Sequence, residues 1–130
     1  MIHYEVYFDK YRWSIEVFII LSHADKVSIL DSLKRMGGSK KVIESACANL
    51  QKDFNSGFTY SSNKYRKSLM VVNRSSSMEE FINTYNHEKN HVEMHICEEL
   101  GIDPYSEEAA YLSGNIAQQL FLPAVCSFLV

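Results

Sequence analysis

This 130-residue sequence has no closely spaced pair of cysteines, no cluster of basic residues and no long apolar run. Its three cysteines are an odd number without C-x-x-C spacing, which favours reduced, mostly buried thiols over a disulfide framework. The net charge is −3 and the lysines and arginines are scattered, so no nucleic-acid partner is expected. The apolar runs at 15–21 and 120–130 are too short to span a bilayer, so no membrane partner is expected either.

Internal repeats and low-complexity linkers are also missing, which predicts a single domain over residues 1–130. A chain of this length buries roughly two-thirds of the surface that its unfolded state exposes, which is enough for a hydrophobic core. The first residues lack the basic start and apolar core of a secretory signal. Together with the reduced thiols, this predicts a cytoplasmic location.

The hydrophobic periodicity predicts an α+β fold with a small mixed sheet. Runs of alternating or β-branched residues predict four strands, at 2–8, 11–22, 58–60 and 67–72. Helical spacing of apolar residues predicts four helices, at about 25–35, 40–53, 77–100 and 105–121. The run 11–22 turns wholly apolar after its first half, so a helix is the alternative there. The last two strands read as a hairpin that leads directly into the third helix.

The most informative stretch is His87-Glu88-Lys89-Asn90-His91, an H-E-x-x-H motif inside the third predicted helix. Its histidines are four residues apart, so they share one helical face with their Cβ atoms about 5–6 Å apart. Both imidazoles can therefore bind one metal ion, and Glu88 lies beside the open position as a general base for water. A shuffled chain of this composition would contain the motif only about 0.02 times, so chance does not readily explain it.

A catalytic zinc usually has three protein ligands and a water, so a third ligand is expected besides the two histidines. The candidates are His95, Glu98, Glu99, Glu107 and Glu108. His95 continues the series on the same helix, but it lies another turn, about 6 Å, along the axis. A residue of the following helix is geometrically better, because the chain reverses between Gly101 and Pro104. Glu107 and Glu108 open that helix, and the spacing leaves both of them as candidates.

These residues resemble the zincin metallopeptidases, and more narrowly the gluzincins, in which H-E-x-x-H is followed by a ligand glutamate on the next helix. The segment Glu107-Glu108-Ala109-Ala110-Tyr111 matches the E-x-x-A register of several such families. The chain also looks like small zincin-like proteins carried by phages and mobile elements of bacteria. The resemblance covers about residues 56–122 and is strongest in 81–114.

The resemblance implies a minimal zincin-like domain in which Zn²⁺ binds His87, His91 and Glu107. Glu88 would take a proton from the metal-bound water and pass it to the leaving amine of a peptide or protein substrate. Tyr111, one turn after Glu107, would be a candidate donor to the water or the oxyanion. In zincins the substrate lies along an exposed edge strand before the active-site helix, and strand 66–72 is the candidate here.

Two other functions stay open on the sequence alone. A zincin-derived protein would bind a metal or a peptide without cutting it, and the small size of the chain favours this because little remains to build substrate pockets. The presence of Glu88 favours the enzyme, because a structural site needs the histidines but no base between them. The third function is a metal-free helical interaction module, which metal content alone would distinguish.

Overall fold

A computed structural model describes residues 1–22, 25–52 and 54–129, with side chains up to residue 126. The described elements follow in the order β1 (Ile2–Phe8), β2 (Trp13–Ile19), α1 (Lys26–Arg35), α2 (Lys40–Leu50), β3 (Gly57–Ser62), β4 (Lys67–Val72), α3 (Met78–Leu100) and α4 (Glu107–Leu129). These elements confirm the predicted α+β class, and the run 11–22 contains a strand rather than a helix. Residue 53, where the second helix was predicted to end, lies outside the described residues.

The four strands form one mixed sheet in the order β1-β2-β4-β3. The two outer pairs are antiparallel, whereas β2 and β4 run parallel in the centre. The prediction that strand 66–72 is the exposed edge strand is therefore wrong, because β4 pairs with β2 on one side and with β3 on the other. The hairpin pattern alone could not decide which of its two strands lies inward, since that depends on a parallel pairing with the distant β2.

Helices cover both faces of the sheet, with α3 and α4 on one face and α1 and α2 on the other. Alternation along β2 sends Trp13, Ile15, Val17 and Ile19 to the core under α3 and α4. Phe18 and Ile20 join the second core, under α1 and α2. A strand buried on both faces reads as a continuous apolar run, and this explains why the periodicity of residues 11–22 was ambiguous.

Helix α3 has well-defined ends, and they hold the H-E-x-x-H motif in its middle. The Ser77 hydroxyl caps the start by accepting a hydrogen bond from the Glu80 N–H at 3.1 Å. The helix ends at Gly101, whose φ of 68° is left-handed and therefore favours glycine. Capping at both ends makes α3 a continuous support for the motif.

Helix α4 begins at Glu107 and continues through Pro123 to Leu129, so it is longer than predicted. Ser106 caps its start, accepting a hydrogen bond from the Ala109 N–H at 3.1 Å. Within the described residues, no helix is both long and apolar enough to cross a membrane. The three cysteines are free, but only Cys97 is buried, so the expectation of mostly buried thiols is met only in part.

Candidate functional site

The two histidines of the motif lie together on an exposed flank of α3. Their Nε2 atoms are 3.2 Å apart, and the rings meet edge to face with centroids 4.8 Å apart. Two nitrogens bound to a tetrahedral zinc, each at about 2.0–2.1 Å from the ion, are separated by about 3.3 Å. The His87 and His91 side chains are therefore already spaced to share one metal ion.

Glu88 lies beneath this pair and is only 4% exposed. Its Oε1 accepts a hydrogen bond from the Thr59 hydroxyl of β3 at 2.8 Å, and its Oε2 lies 4.0 Å from His87 Nε2. Helix α3 can approach β3 this closely because residue 57 is glycine. A Cβ atom on Gly57 would lie 3.0 Å from Glu88 Cγ and 2.4 Å from the Val71 carbonyl oxygen. The carboxylate is thus held in place by the strand, and its other oxygen faces His87.

A chain of hydrogen bonds leads from the core to His95, one turn beyond His91. The Trp13 Nε1–H donates to Ser68 Oγ at 2.9 Å, Ser68 Oγ lies 2.7 Å from Ser61 Oγ, and Ser61 Oγ lies 2.7 Å from His95 Nδ1. The indole nitrogen only donates, and every hydroxyl proton of the chain has an acceptor when Ser68 donates to Ser61 and Ser61 donates to Nδ1, so we assign this direction. The proton of neutral His95 is then on Nε2. In this tautomer His95 is a hydrogen-bond donor and not a metal ligand.

Burial lowers the pKa of His95, and the neighbouring His91 lowers it further, whereas Glu98 acts in the opposite direction. The pKa shift therefore favours the neutral ring that the hydrogen-bond chain requires. His95 also opens into a different cavity from His87, shared with Ser61 and Glu98. The structure thus places His95 beside the histidine pair without joining it to the same cavity.

Glu107 lies away from the histidine pair. It lines a cavity of about 390 Å³ between α3 and α4, together with Glu93, Cys97 and Ser113, and this cavity includes neither histidine. The Ser113 hydroxyl donates to Glu93 Oε1 at 3.0 Å, which aligns the two antiparallel helices. Ser113 lies opposite Glu93, and the two helices are antiparallel. Glu107 precedes Ser113 by six residues, so it lies level with residue 99, near the end of α3. That level is roughly 12 Å beyond His91 along the helix axis.

No three His, Cys, Asp or Glu side chains lie close enough to hold a metal ion within the part of the chain that the structure describes. The assignment of Glu107 as third ligand therefore stays a prediction. Glu108 does not line the cavity beside His87 either.

Tyr111 is 67% exposed on the outer side of α4. The buried side of that helix is formed instead by Ala109, Leu112 and Ile116. Tyr111 lines neither the cavity beside His87 nor the one beside His95. Its assignment as a donor to the reacting oxygen also stays a prediction.

The sequence did not single out β3, although its side chains contact the motif. Gly57, Thr59 and Ser61 face α3, while the aromatic Phe58 and Tyr60 face the opposite side of the sheet. The alternation of small or polar residues with aromatic ones is the sequence pattern that could have identified this strand as a neighbour of the motif. Such alternation is typical of a strand with one polar face. A polar cavity of about 240 Å³ lies at the start of β3, between the end of α2 and the His87–Glu88 turn of α3.

The outer edge of strand β3 lies beside the motif and is unpaired at Thr59 and Ser61, whereas the outward carbonyl oxygen of Gly57 accepts a hydrogen bond from Asn49 Nδ2 at 2.9 Å. The Asn73 N–H donates to the Ser56 carbonyl oxygen at 2.9 Å, so Phe58 and Tyr60, at even spacing from Ser56, are the residues that bond to β4. The N–H and C=O groups of Thr59 and Ser61 therefore point outward. Within the described ranges 1–22, 25–52 and 54–129, none of these four outward groups has a hydrogen-bond partner.

Contacts link the histidine pair to the edge of β3, because Glu88 lies 4.0 Å from His87 Nε2 through Oε2 and accepts a hydrogen bond from Thr59 through Oε1. The chain matches no protein-family model, no curated protein and no solved structure. The chemistry of this region must therefore be inferred from its own residues.

Proposed function

We propose that the protein is a small zinc-dependent metallopeptidase with a zincin-like domain, which hydrolyses peptide bonds with Glu88 as the general base. The observation that supports this most is the spacing of 3.2 Å between His87 Nε2 and His91 Nε2, directly above a buried carboxylate. A site that only stabilised the fold would need the two imidazoles but no carboxylate held beside them. The motif and its resemblance to gluzincins support the same chemistry.

The two oxygens of Glu88 have different surroundings, and this suits a proton-transfer role. Oε1 is held by the Thr59 hydroxyl, whereas Oε2 faces His87 at 4.0 Å. A bound Zn²⁺ would supply a Lewis acid that polarises the peptide carbonyl and lowers the pKa of a water. Glu88 Oε2 then accepts the proton of the attacking water and passes it to the nitrogen of the leaving amine.

An extended peptide is the substrate that the neighbouring strand favours. Added to the edge of β3, it would hydrogen-bond to the outward groups of Thr59 and Ser61. Thr59 also binds Glu88, so a peptide paired with Thr59 lies next to the base and the two histidines. In this proposal β3 replaces β4 as the strand that holds the substrate.

Metal content and peptide cleavage test the proposal together. We expect near-stoichiometric zinc in the purified protein by elemental analysis, and loss of zinc in His87→Ala. Cleavage of a quenched fluorescent peptide library should require Glu88 and disappear in Glu88→Gln. No zinc after reconstitution would contradict the proposal, and zinc with peptide binding but no cleavage would support a protein that binds without cutting.

The third ligand is tested by the matched variants Glu107→Ala and Glu108→Ala. Loss of zinc in Glu107→Ala alone would establish the assignment that the resemblance implies, and would mean that α4 moves relative to α3 when the metal binds. Loss of zinc in Glu108→Ala alone would assign the third ligand to Glu108 instead. Full zinc content in both variants would show that the ion is held without either glutamate.

A further inference from the structure

The opposite side of the β3 edge has an apolar cavity that the proposed chemistry does not use. This α2–β3 cavity has a volume of about 350 Å³. Its lining includes Phe58, Thr59 and Tyr60 of β3 and Val42 and Ala46 of α2. Thr59 also carries outward backbone groups, so the cavity and the unpaired edge are continuous.

Strand geometry determines which side chains of a bound peptide would reach this cavity. Phe58 and Tyr60 project toward α2, and Thr59 projects toward α3. Directly opposite residues of paired strands project to the same face of a sheet. A peptide residue opposite Thr59 would therefore direct its side chain toward Glu88, and its two neighbours would direct theirs toward the α2–β3 cavity.

We propose that the α2–β3 cavity is a side-chain subsite that selects a bulky apolar residue, such as Phe or Leu, next to the peptide residue held over Glu88. The proposal rests on the proposed function for the position of the peptide along β3. The free N–H and C=O of Thr59 identify the occupant as an extended main chain, because they offer one donor and one acceptor at the mouth of the cavity. The apolar lining favours an apolar side chain as the group that enters the cavity.

The charge at the cavity further limits which peptide side chains can enter it. Lys41 lines it and is exposed, and no acidic residue is among its lining residues. A basic side chain would therefore meet a like charge and lose its hydration without gaining a partner. The subsite is expected to reject Lys and Arg more strongly than Ala.

The test measures binding of fluorescein-labelled octapeptides to the full-length, zinc-loaded Glu88→Gln protein, which should not cleave them. The peptides share an Ala/Gln host sequence with a single Phe, Ala or Lys placed at each position in turn. We expect the Phe peptide to bind about tenfold more tightly than the Ala peptide. The preference should appear at two positions separated by one residue, because Phe58 and Tyr60 are two residues apart on one strand face.

Two exposed positions of α2 supply a matched pair of variants. Ser45 lines the cavity and Ala48 does not, although both are exposed. Ser45→Tyr should fill the cavity and abolish the preference for Phe, whereas Ala48→Tyr should leave it unchanged. Thermal unfolding of both variants checks that they are folded. If Ser45→Tyr is unfolded, Lys41→Glu takes its place and should raise the affinity for the Lys peptide several-fold relative to the Ala peptide.

Equal affinities for the Phe and Ala peptides at every position would overturn the proposal, and so would an unchanged preference in Ser45→Tyr. Failure of every peptide to bind would overturn it as well. The outcome is distinct from that of the peptidase test. A Phe preference in a protein that cleaves nothing keeps the subsite and contradicts the peptidase, while cleavage without the preference contradicts the subsite alone.

Discussion

Two buried glutamates, one on each face of the sheet, have very different surroundings. Glu16 is 3% exposed and Glu88 is 4% exposed. Glu16 lies 2.6 Å from His3 Nε2 and 3.1 Å from Lys67 Nζ. Within the described part of the chain, Glu88 has one side-chain donor, the Thr59 hydroxyl, and no Lys or Arg forms an ion pair with it.

The difference distinguishes a carboxylate held by cationic side chains of the fold from one that is a candidate for chemistry. Burial by itself raises the pKa of Glu16, but hydrogen bonds and charge from His3 and Lys67 outweigh it, so the pKa is lowered. Glu16 is thus held as an anion within the fold by its contacts with His3 and Lys67. Glu88 has given up hydration for a single hydroxyl donor, which leaves Oε2 available to a ligand. Buried carboxylates without cationic partners are candidates for chemistry, and those with such partners are more often structural.

The largest effect should come from Glu88→Gln, which removes the base and keeps the shape of the side chain. We expect the rate of peptide cleavage to fall by about 10²–10⁴-fold, measured as kcat on a fluorogenic peptide. Zinc content should be unchanged, because Glu88 is not a proposed ligand. The matched variant Glu16→Gln should retain kcat, and an equal loss in both variants would erase the distinction between the two carboxylates.

Glu16→Gln should instead reduce stability, by about 1–3 kcal/mol near pH 7 in chemical denaturation, because it removes the anion that Lys67 and His3 contact. The folded-state pKa of Glu16 lies below its ordinary value of 4.5, so the stabilisation is complete above that pH. It is lost as the pH falls through the folded-state value. The wild type and the variant should therefore converge in acid, and a constant difference across pH would show that the charge of Glu16 is not the cause.

Thr59→Val should have a smaller effect on activity, because it removes only the donor that holds Glu88 Oε1. We expect kcat to fall about tenfold, the cost of one hydrogen bond to a charged group. Thr59→Ser retains the hydroxyl and should restore most of the rate. Equal rates in the Val and Ser variants would mean that Thr59 does not orient Glu88.

The smallest expected effect is that of Ser61→Ala, which interrupts the hydrogen-bond chain to His95. The stability should fall by about 0.5–1.5 kcal/mol, as for one buried hydrogen bond. The ring of His95 should lose its preference for the Nε2–H tautomer, which long-range ¹H–¹⁵N NMR spectra would report directly. An unchanged tautomer would show that Ser61 does not determine where the proton lies.

Much of this fold is readable in the sequence because it depends on neighbouring residues. The Ser77 cap, the Gly101 end and the four-residue spacing of His87 and His91 are all properties of one helix. Helical geometry alone brings the two imidazoles together, so no tertiary contact was needed to expect the pair.

Tertiary structure determined which strand lies beside the motif and where Glu107 lies relative to it. The choice of β3 as the edge follows from the parallel pairing of β4 with β2, across more than 40 residues of intervening chain. The position of Glu107 follows from how α3 and α4 align, and contacts such as Glu93–Ser113 set that alignment. The sequence by itself determined the histidine pair and the place of Glu88 next to it in the helix, because an α-helix has one geometry. Packing determined their neighbours, because strand order and helix alignment depend on contacts between distant residues.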